Sequence, residues 1–147
     1  MEPLFRHTLV PIDGSEPSLQ AVDMALRVNA LCPACKMTLL YVIDKLVLAE
    51  LVRFSKRSQR EVEAELEDQG RRYLELARKQ AEQQGVPAEC QIRRGDPFEE
   101  IIAAANNLRA DLIIMGHTGR RGTARVLIGS VTQRVLDYAP CPVLVMK

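Results

Sequence analysis

Apolar residues along this chain follow two spacings that take turns. Short apolar runs, Thr8-Leu9-Val10-Pro11-Ile12, Met37-Thr38-Leu39-Leu40-Tyr41-Val42-Ile43, Asp111-Leu112-Ile113-Ile114-Met115 and Val143-Leu144-Val145-Met146, have the length of β-strands. Such runs, with little polar alternation, fit parallel strands covered on both faces. Ala88 to Arg94 also reads as a strand, with polar residues at alternate positions. Between the strands the spacing turns helical: Leu19, Val22, Ala25, Leu26 and Asn29, then Val62, Leu66, Gly70, Tyr73, Ala77 and Ala81, then Ile101, Ile102, Ala105 and Leu108, and finally Val131 to Leu136. Ser15 and Pro17 suit a helix start, Asp96-Pro97-Phe98-Glu99 is a capping box, and Gly85 with Pro87 is a stop. Pro140-Cys141-Pro142 breaks the last helix. Residues 45–60 keep neither period. Leu46, Val47, Leu48, Leu51, Val52 and Phe54 are interleaved with Arg53, Lys56 and Arg57, which reads as a short helix and a mobile loop.

The resulting order, βαβαβαβαβ, predicts an α/β fold: an open parallel sheet with helices on both faces, formed by residues 1–147 as a single domain. In such sheets ligands bind beyond the carboxyl ends of the strands, at the switch point of the winding. The positions to watch follow the first, second and fourth strands: Asp13, Val42 to Asp44, and Gly116 to Ser130.

The last of these carries the sharpest chemistry. Gly116-His117-Thr118-Gly119, nine further residues and Gly129-Ser130 lie between a buried strand and a helix start. Glycines let backbone N–H groups approach an anion, and the free amides and dipole of a helix N-terminus favour negative charge. Ser130 is placed as the N-cap, its hydroxyl capping the helix or facing a phosphate. Arg120, Arg121 and Arg125 stand in the loop, within reach of outer phosphates. Asp13 suits a ribose hydroxyl or a metal on the phosphates, and equally an Asx turn before a helix.

Composition removes several other classes. The net charge of +1 gives no electrostatic footprint for nucleic acid or for a membrane surface. The longest apolar runs are strand-length, too short to span a bilayer, and Met1 to His7 lacks a secretory h-region. Four irregularly spaced cysteines fit a reducing cytoplasm. There is no Gly-x4-Gly-Lys pattern and no Ser-His-Asp or Cys-His arrangement, so fast turnover is not expected, and His117 reads as solvent-exposed. Cys32-Pro33-Ala34-Cys35 falls past a helix C-terminus, where the dipole disfavours a thiolate. As a zinc half-site it lacks partners, with Cys90 the nearest third ligand in an adjacent strand. A receiver-type phosphorelay site is disfavoured by a single acid after the first strand, and an FMN site by the place of the anion loop.

Val10-Pro11-Ile12-Asp13-Gly14-Ser15, Gly95-Asp96-Pro97, Met115-Gly116 opening Gly-x2-Gly-x9-Gly-Ser, and Cys141-Pro142-Val143-Leu144-Val145 together resemble the universal stress protein family, from Phe5 to Lys147. The resemblance implies a five-stranded parallel sheet in the order 3-2-1-4-5. It also implies the ATP-binding branch of the family, marked by the glycine pattern. By position, Pro11, Asp13 and Val42 would line the adenosine side, while Met115, Gly116, Gly119, Gly129, Ser130, Val131 and Thr132 would hold ribose and phosphates, with Arg120 nearby. His117-Thr118 departs from the pair usual in that loop. The implied ligands are ATP, or another adenine nucleotide, and Mg²⁺. The implied role is a cytoplasmic, nucleotide-responsive regulator of stress adaptation acting on a downstream protein. The last strand is an apolar sheet edge with no charged guard, which points to a homodimer through it. Two other readings stay open: a slow ATPase or autophosphorylating protein using Ser130 or Thr118, and a redox or metal module at Cys32 and Cys35.

Overall fold

The computed structural model describes residues 2–118 and 128–147. In chain order the elements are β1 (His7–Pro11), α1 (Glu16–Leu31), β2 (Lys36–Asp44), α2 (Lys45–Ser55), α3 (Gln59–Gln83), β3 (Ala88–Gly95), α4 (Pro97–Leu108), β4 (Leu112–Gly116), α5 (Ser130–Tyr138) and β5 (Val143–Met146). The strands form one sheet in the order β3-β2-β1-β4-β5, with every neighbouring pair parallel. This is the predicted architecture.

Side-chain alternation along the strands divides the core in two. Val10, Leu39, Ile43 and Ile114 point to one face, where Val22 and Leu26 of α1 and Val62, Leu66 and Leu74 of α3 cover them. Leu9, Leu40, Ile113 and Met115 point to the other, beneath Ile101 and Ala104 of α4 and Val135 of α5. Small residues at 104 and 105 let α4 lie close to the sheet. Local signals start the helices as read. The Ser15 hydroxyl accepts from the Ser18 amide, and the Asp96 carboxylate accepts from the Glu99 amide.

Three readings change. Residues 45–60 are not mainly loop: α2 takes eleven of them, N-capped by Asp44 through a 2.9 Å bond from the Leu46 amide. No α2 residue is fully buried; Leu48 and Val52, one helical turn apart, pack partly buried against the core. Leu19 was placed on the buried face of α1 but is exposed; Ser18 and Ala21 take the sheet-facing positions instead. The buried face of α3 runs through Leu74, and Tyr73 stands at its rim, half-buried.

Candidate functional site: the crevice between β1 and β4

The winding reverses between β1 and β4, and there the pairing is short. β1 pairs with β2 from His7 to Pro11, but with β4 only through Thr8–Leu112 and Leu9–Ile113. Pro11 explains part of this. The Ile12 amide donates to Leu40 of β2 at 2.8 Å, so the preceding residue turns its nitrogen toward β4. A proline has no proton to donate there, and the ladder on that side ends. Pro11 is half-buried at this opening.

On the β1 side the chain passes through Asp13, Gly14 and Ser15 into α1. The Asp13 carboxylate accepts from the Ser15 amide at 2.9 Å, closing an Asx turn, while the Asp13 amide faces Ser18 Oγ at 3.4 Å. Gly14 has φ of +83°, a backbone shape that L side chains rarely take. Asp13 is therefore presented by a turn it also stabilises. On the β2 side, Val42 is half-buried and packs toward the face covered by α4 and α5, two residues beyond the Leu40 that pairs with Pro11.

On the β4 side the glycine pattern is met at its two described ends. The Gly129 amide donates to the His117 carbonyl at 2.7 Å, and a Cβ on Gly129 would lie 3.4 Å from that oxygen. Gly116 is buried at the end of β4. A Cβ there would sit 2.6 Å from Pro17 Cβ and 3.1 Å from the Ser18 amide, so this glycine lets the first turn of α1 rest on the strand. The Thr132 hydroxyl, 3% exposed, donates to the Gly116 carbonyl at 2.9 Å. That bond ties the first turn of α5 to the end of β4. The first backbone bond within α5 runs from Gln133 to Gly129, so the amides of Ser130, Val131 and Thr132 have no acceptor inside the helix.

The site residues named from the sequence thus separate into kinds. Pro11, Asp13, Val42, Gly129, Ser130 and Val131 meet at the carboxyl end of the sheet or the start of α5. Met115 is there too but is only 5% exposed, packed among Leu9, Ile113 and Val135, and acts as core. Thr132 offers its backbone amide, its hydroxyl being committed to Gly116. Ser130 is the first residue of α5 and exposed; the cap position belongs to Gly129, which supplies no side-chain bond. Gly119 and Arg120, with Arg121 and Arg125, lie outside the described residues.

His117 is half-buried rather than solvent-exposed. Its amide donates to the Met146 carbonyl at 2.7 Å and its Nδ1 lies 2.9 Å from the same oxygen, so it extends the pairing of β4 with β5. Thr118 is buried as well. One contributor went unread in the sequence: Tyr73 of α3 lies over Gly14. Thr132, read as a ligand contact, also holds α5 by its side chain, and for that role the signal was present: a threonine in a first helical turn behind a strand-ending glycine.

The cysteine pair occupies the opposite end of the sheet, before β2. Cys32 Sγ donates to the Phe5 carbonyl at 3.1 Å, and Cys35 Sγ lies 3.3 Å from Thr8 Oγ1. Both are buried free thiols, and burial raises the Cys35 thiol above its ordinary pKa. Cys90 pairs in register with Leu39, four residues along β2 from Cys35, about 13 Å at strand rise, so it does not serve as a third ligand. Among the described residues no three His, Cys, Asp or Glu side chains are grouped to hold a metal ion, and no helix is long and apolar enough to cross a membrane.

Comparison with known proteins agrees with this fold. Universal stress protein MJ0531 from Methanocaldococcus jannaschii is 36% identical over 99% of this chain and 84% of its own length. The solved structure of MJ0577 from the same organism, 30% identical, superposes with a TM-score of 0.85 over 98% of this chain and 96% of that one. An Arabidopsis thaliana family protein solved with AMP bound, at 22% identity, shares the fold with a TM-score of 0.66 over 97% of this chain and 91% of its own. The model of the universal stress protein family matches residues 4–147. With the predicted strand order, the crevice at its switch point and these similarities in hand, the chain belongs to the universal stress protein family.

Proposed function

We propose that this protein binds ATP, or another adenine nucleotide, in the crevice between β1 and β4, and acts as a nucleotide-responsive regulator of stress adaptation. The observation that carries the reading is the convergence at that crevice of a turn-held carboxylate, Asp13, with the first-turn amides of α5. A cation-binding oxygen and an anion-binding helix end are the two complementary halves of a nucleotide phosphate site. Pro11 and Val42 supply half-buried apolar surface on the adenosine side. Asp13 would help hold Mg²⁺ on the phosphates, its hard oxygens suiting that ion. The AMP bound to the Arabidopsis protein on the same fold is consistent with an adenine ligand. In this reading the protein acts in the cytoplasm as a homodimer through β5, and signals to a downstream protein.

Turnover is slow in this reading, because the sequence has no Gly-x4-Gly-Lys pattern to bring a lysine to the outer phosphates. The test is calorimetric titration with ATP and Mg²⁺ of the wild type and of a Gly119→Val, Gly129→Val variant. The wild type should bind and the variant should not, since a side chain would fill the space between backbone and phosphate. Equal affinity of the two would overturn the assignment.

A further inference from the structure

Two tyrosines interlock α3 with the rest of the molecule, and one of them reaches the proposed site. Tyr41 of β2 is 5% exposed, and its ring occupies the space beside Gly70 of α3, where a Cβ would lie 2.3 Å from Tyr41 Cδ1. That notch fixes how α3 is turned against the sheet. One helical turn on, Tyr73 leans over the β1–α1 loop. A Cβ on Gly14 would lie 2.3 Å from Tyr73 Cζ and 2.5 Å from Cε2, so the ring rests on the bare α-carbon. The two rings lie 6.1 Å apart, tilted by 51°, a favourable aromatic geometry. Tyr73 Oη also accepts from Gln69 Nε2 at 3.2 Å, which steadies the ring from its own helix.

We infer that Tyr73 is a positioning residue for the nucleotide site: its ring clamps Gly14 and thereby holds the Asp13 turn in its ligand-receiving shape. The inference rests on the adenine-nucleotide reading above. Glycine is the residue with the most backbone freedom, and Gly14 separates Asp13 from the Ser15 amide that its carboxylate accepts. Without a lid on its α-carbon, the turn gains conformations in which the carboxylate points elsewhere. Nucleotide binding then has to re-order the loop, and affinity falls by the fraction of molecules in the competent shape.

The experiment has two readouts in wild type, Tyr73→Ala, Tyr73→Phe, Asp13→Ala and the Tyr73→Ala, Asp13→Ala double variant. The first is ATP affinity by calorimetry with Mg²⁺. Tyr73→Ala should weaken binding about tenfold, Tyr73→Phe should stay near wild type because the ring is kept, and the double variant should bind no worse than Asp13→Ala alone. Losses that multiply would show Tyr73 acting independently of Asp13 and overturn the inference, as would wild-type affinity in Tyr73→Ala. A Phe variant as weak as Ala would assign the effect to the hydroxyl and overturn the clamp. The second readout needs no nucleotide. Hydrogen exchange at the Ser15 amide should speed up in Tyr73→Ala and not in Tyr73→Phe, and unchanged exchange in Tyr73→Ala overturns the clamp. A wild type that binds no adenine nucleotide overturns the proposed function, and the functional half of this inference with it; a binding wild type with an equally tight Tyr73→Ala overturns this inference alone.

Discussion

Replacing Thr132 with valine tests whether the hydroxyl holds α5 against β4. Valine keeps the branched shape and removes only the donor to the Gly116 carbonyl, a 2.9 Å bond in a site where Thr132 is 3% exposed. Two terms oppose each other. Losing the hydroxyl removes its own burial cost, which favours the variant, but Gly116 stays buried and its carbonyl loses this donor. An unmet buried acceptor costs about 1–3 kcal/mol, so the second term wins and the net loss should be about 1 kcal/mol. For a chain of this length that corresponds to a melting temperature lower by about 3–4 °C. Urea unfolding followed by circular dichroism measures the loss, with the slope unchanged because the surface exposed on unfolding is the same. ATP affinity should drop in parallel, since the first turn of α5 loses its tether to the strand end. A valine variant as stable as wild type, with an unchanged urea midpoint, would show that the bond is not what sets α5 in place.

Leu144 is the exposed side chain of edge strand β5, so Leu144→Lys should give a monomer in sedimentation velocity where the wild type gives a dimer; a monomeric wild type at micromolar concentration refutes the β5 interface. Burial and the nearby Lys36 hold the His7 imidazole below its ordinary pKa, so protons bind the unfolded chain more readily and stability should fall as pH drops below about 6.5. Urea midpoints measured from pH 7.5 to 5 should show a shallower fall in His7→Gln, and an identical fall would assign the acid sensitivity elsewhere. The Cys32→Ser, Cys35→Ser variant should fold and bind ATP as wild type does, because the pair lies at the other end of the sheet. Cys35 should react slowly with iodoacetamide at pH 7.5 in the folded protein, its thiol being buried and its pKa raised; fast labelling would reopen a redox role.

Much of the architecture was settled by residues acting on their immediate neighbours. Unbroken apolar runs such as Met37 to Ile43 specify strands that need cover on both faces, and Asp96 and Ser15 start helices by bonding amides three residues on. Those signals, alternating along the chain, leave few parallel windings open, and the observed order is among them. The crevice was legible too, because Pro11 and the terminal glycines sit at element boundaries that a sequence displays.

What only the tertiary structure decided are the roles that depend on residues far apart in the chain. Gly116 looked like a phosphate glycine, yet the contact that forbids a side chain there is with Pro17, ninety-nine positions away. Thr132 read as a ligand contact and spends its hydroxyl on Gly116; His117 read as exposed and is fastened to Met146. Ser130 read as a cap, but the turn places Gly129 at that position. Tyr73 belonged by period to a buried stripe, and the rotation of α3 set by Tyr41 in the Gly70 notch carried it to the rim, over Gly14. Periodicity states which side of a helix is apolar. Which atom of another element that side meets depends on strand order, helix rotation and close approach, and none of these is a local property of the sequence.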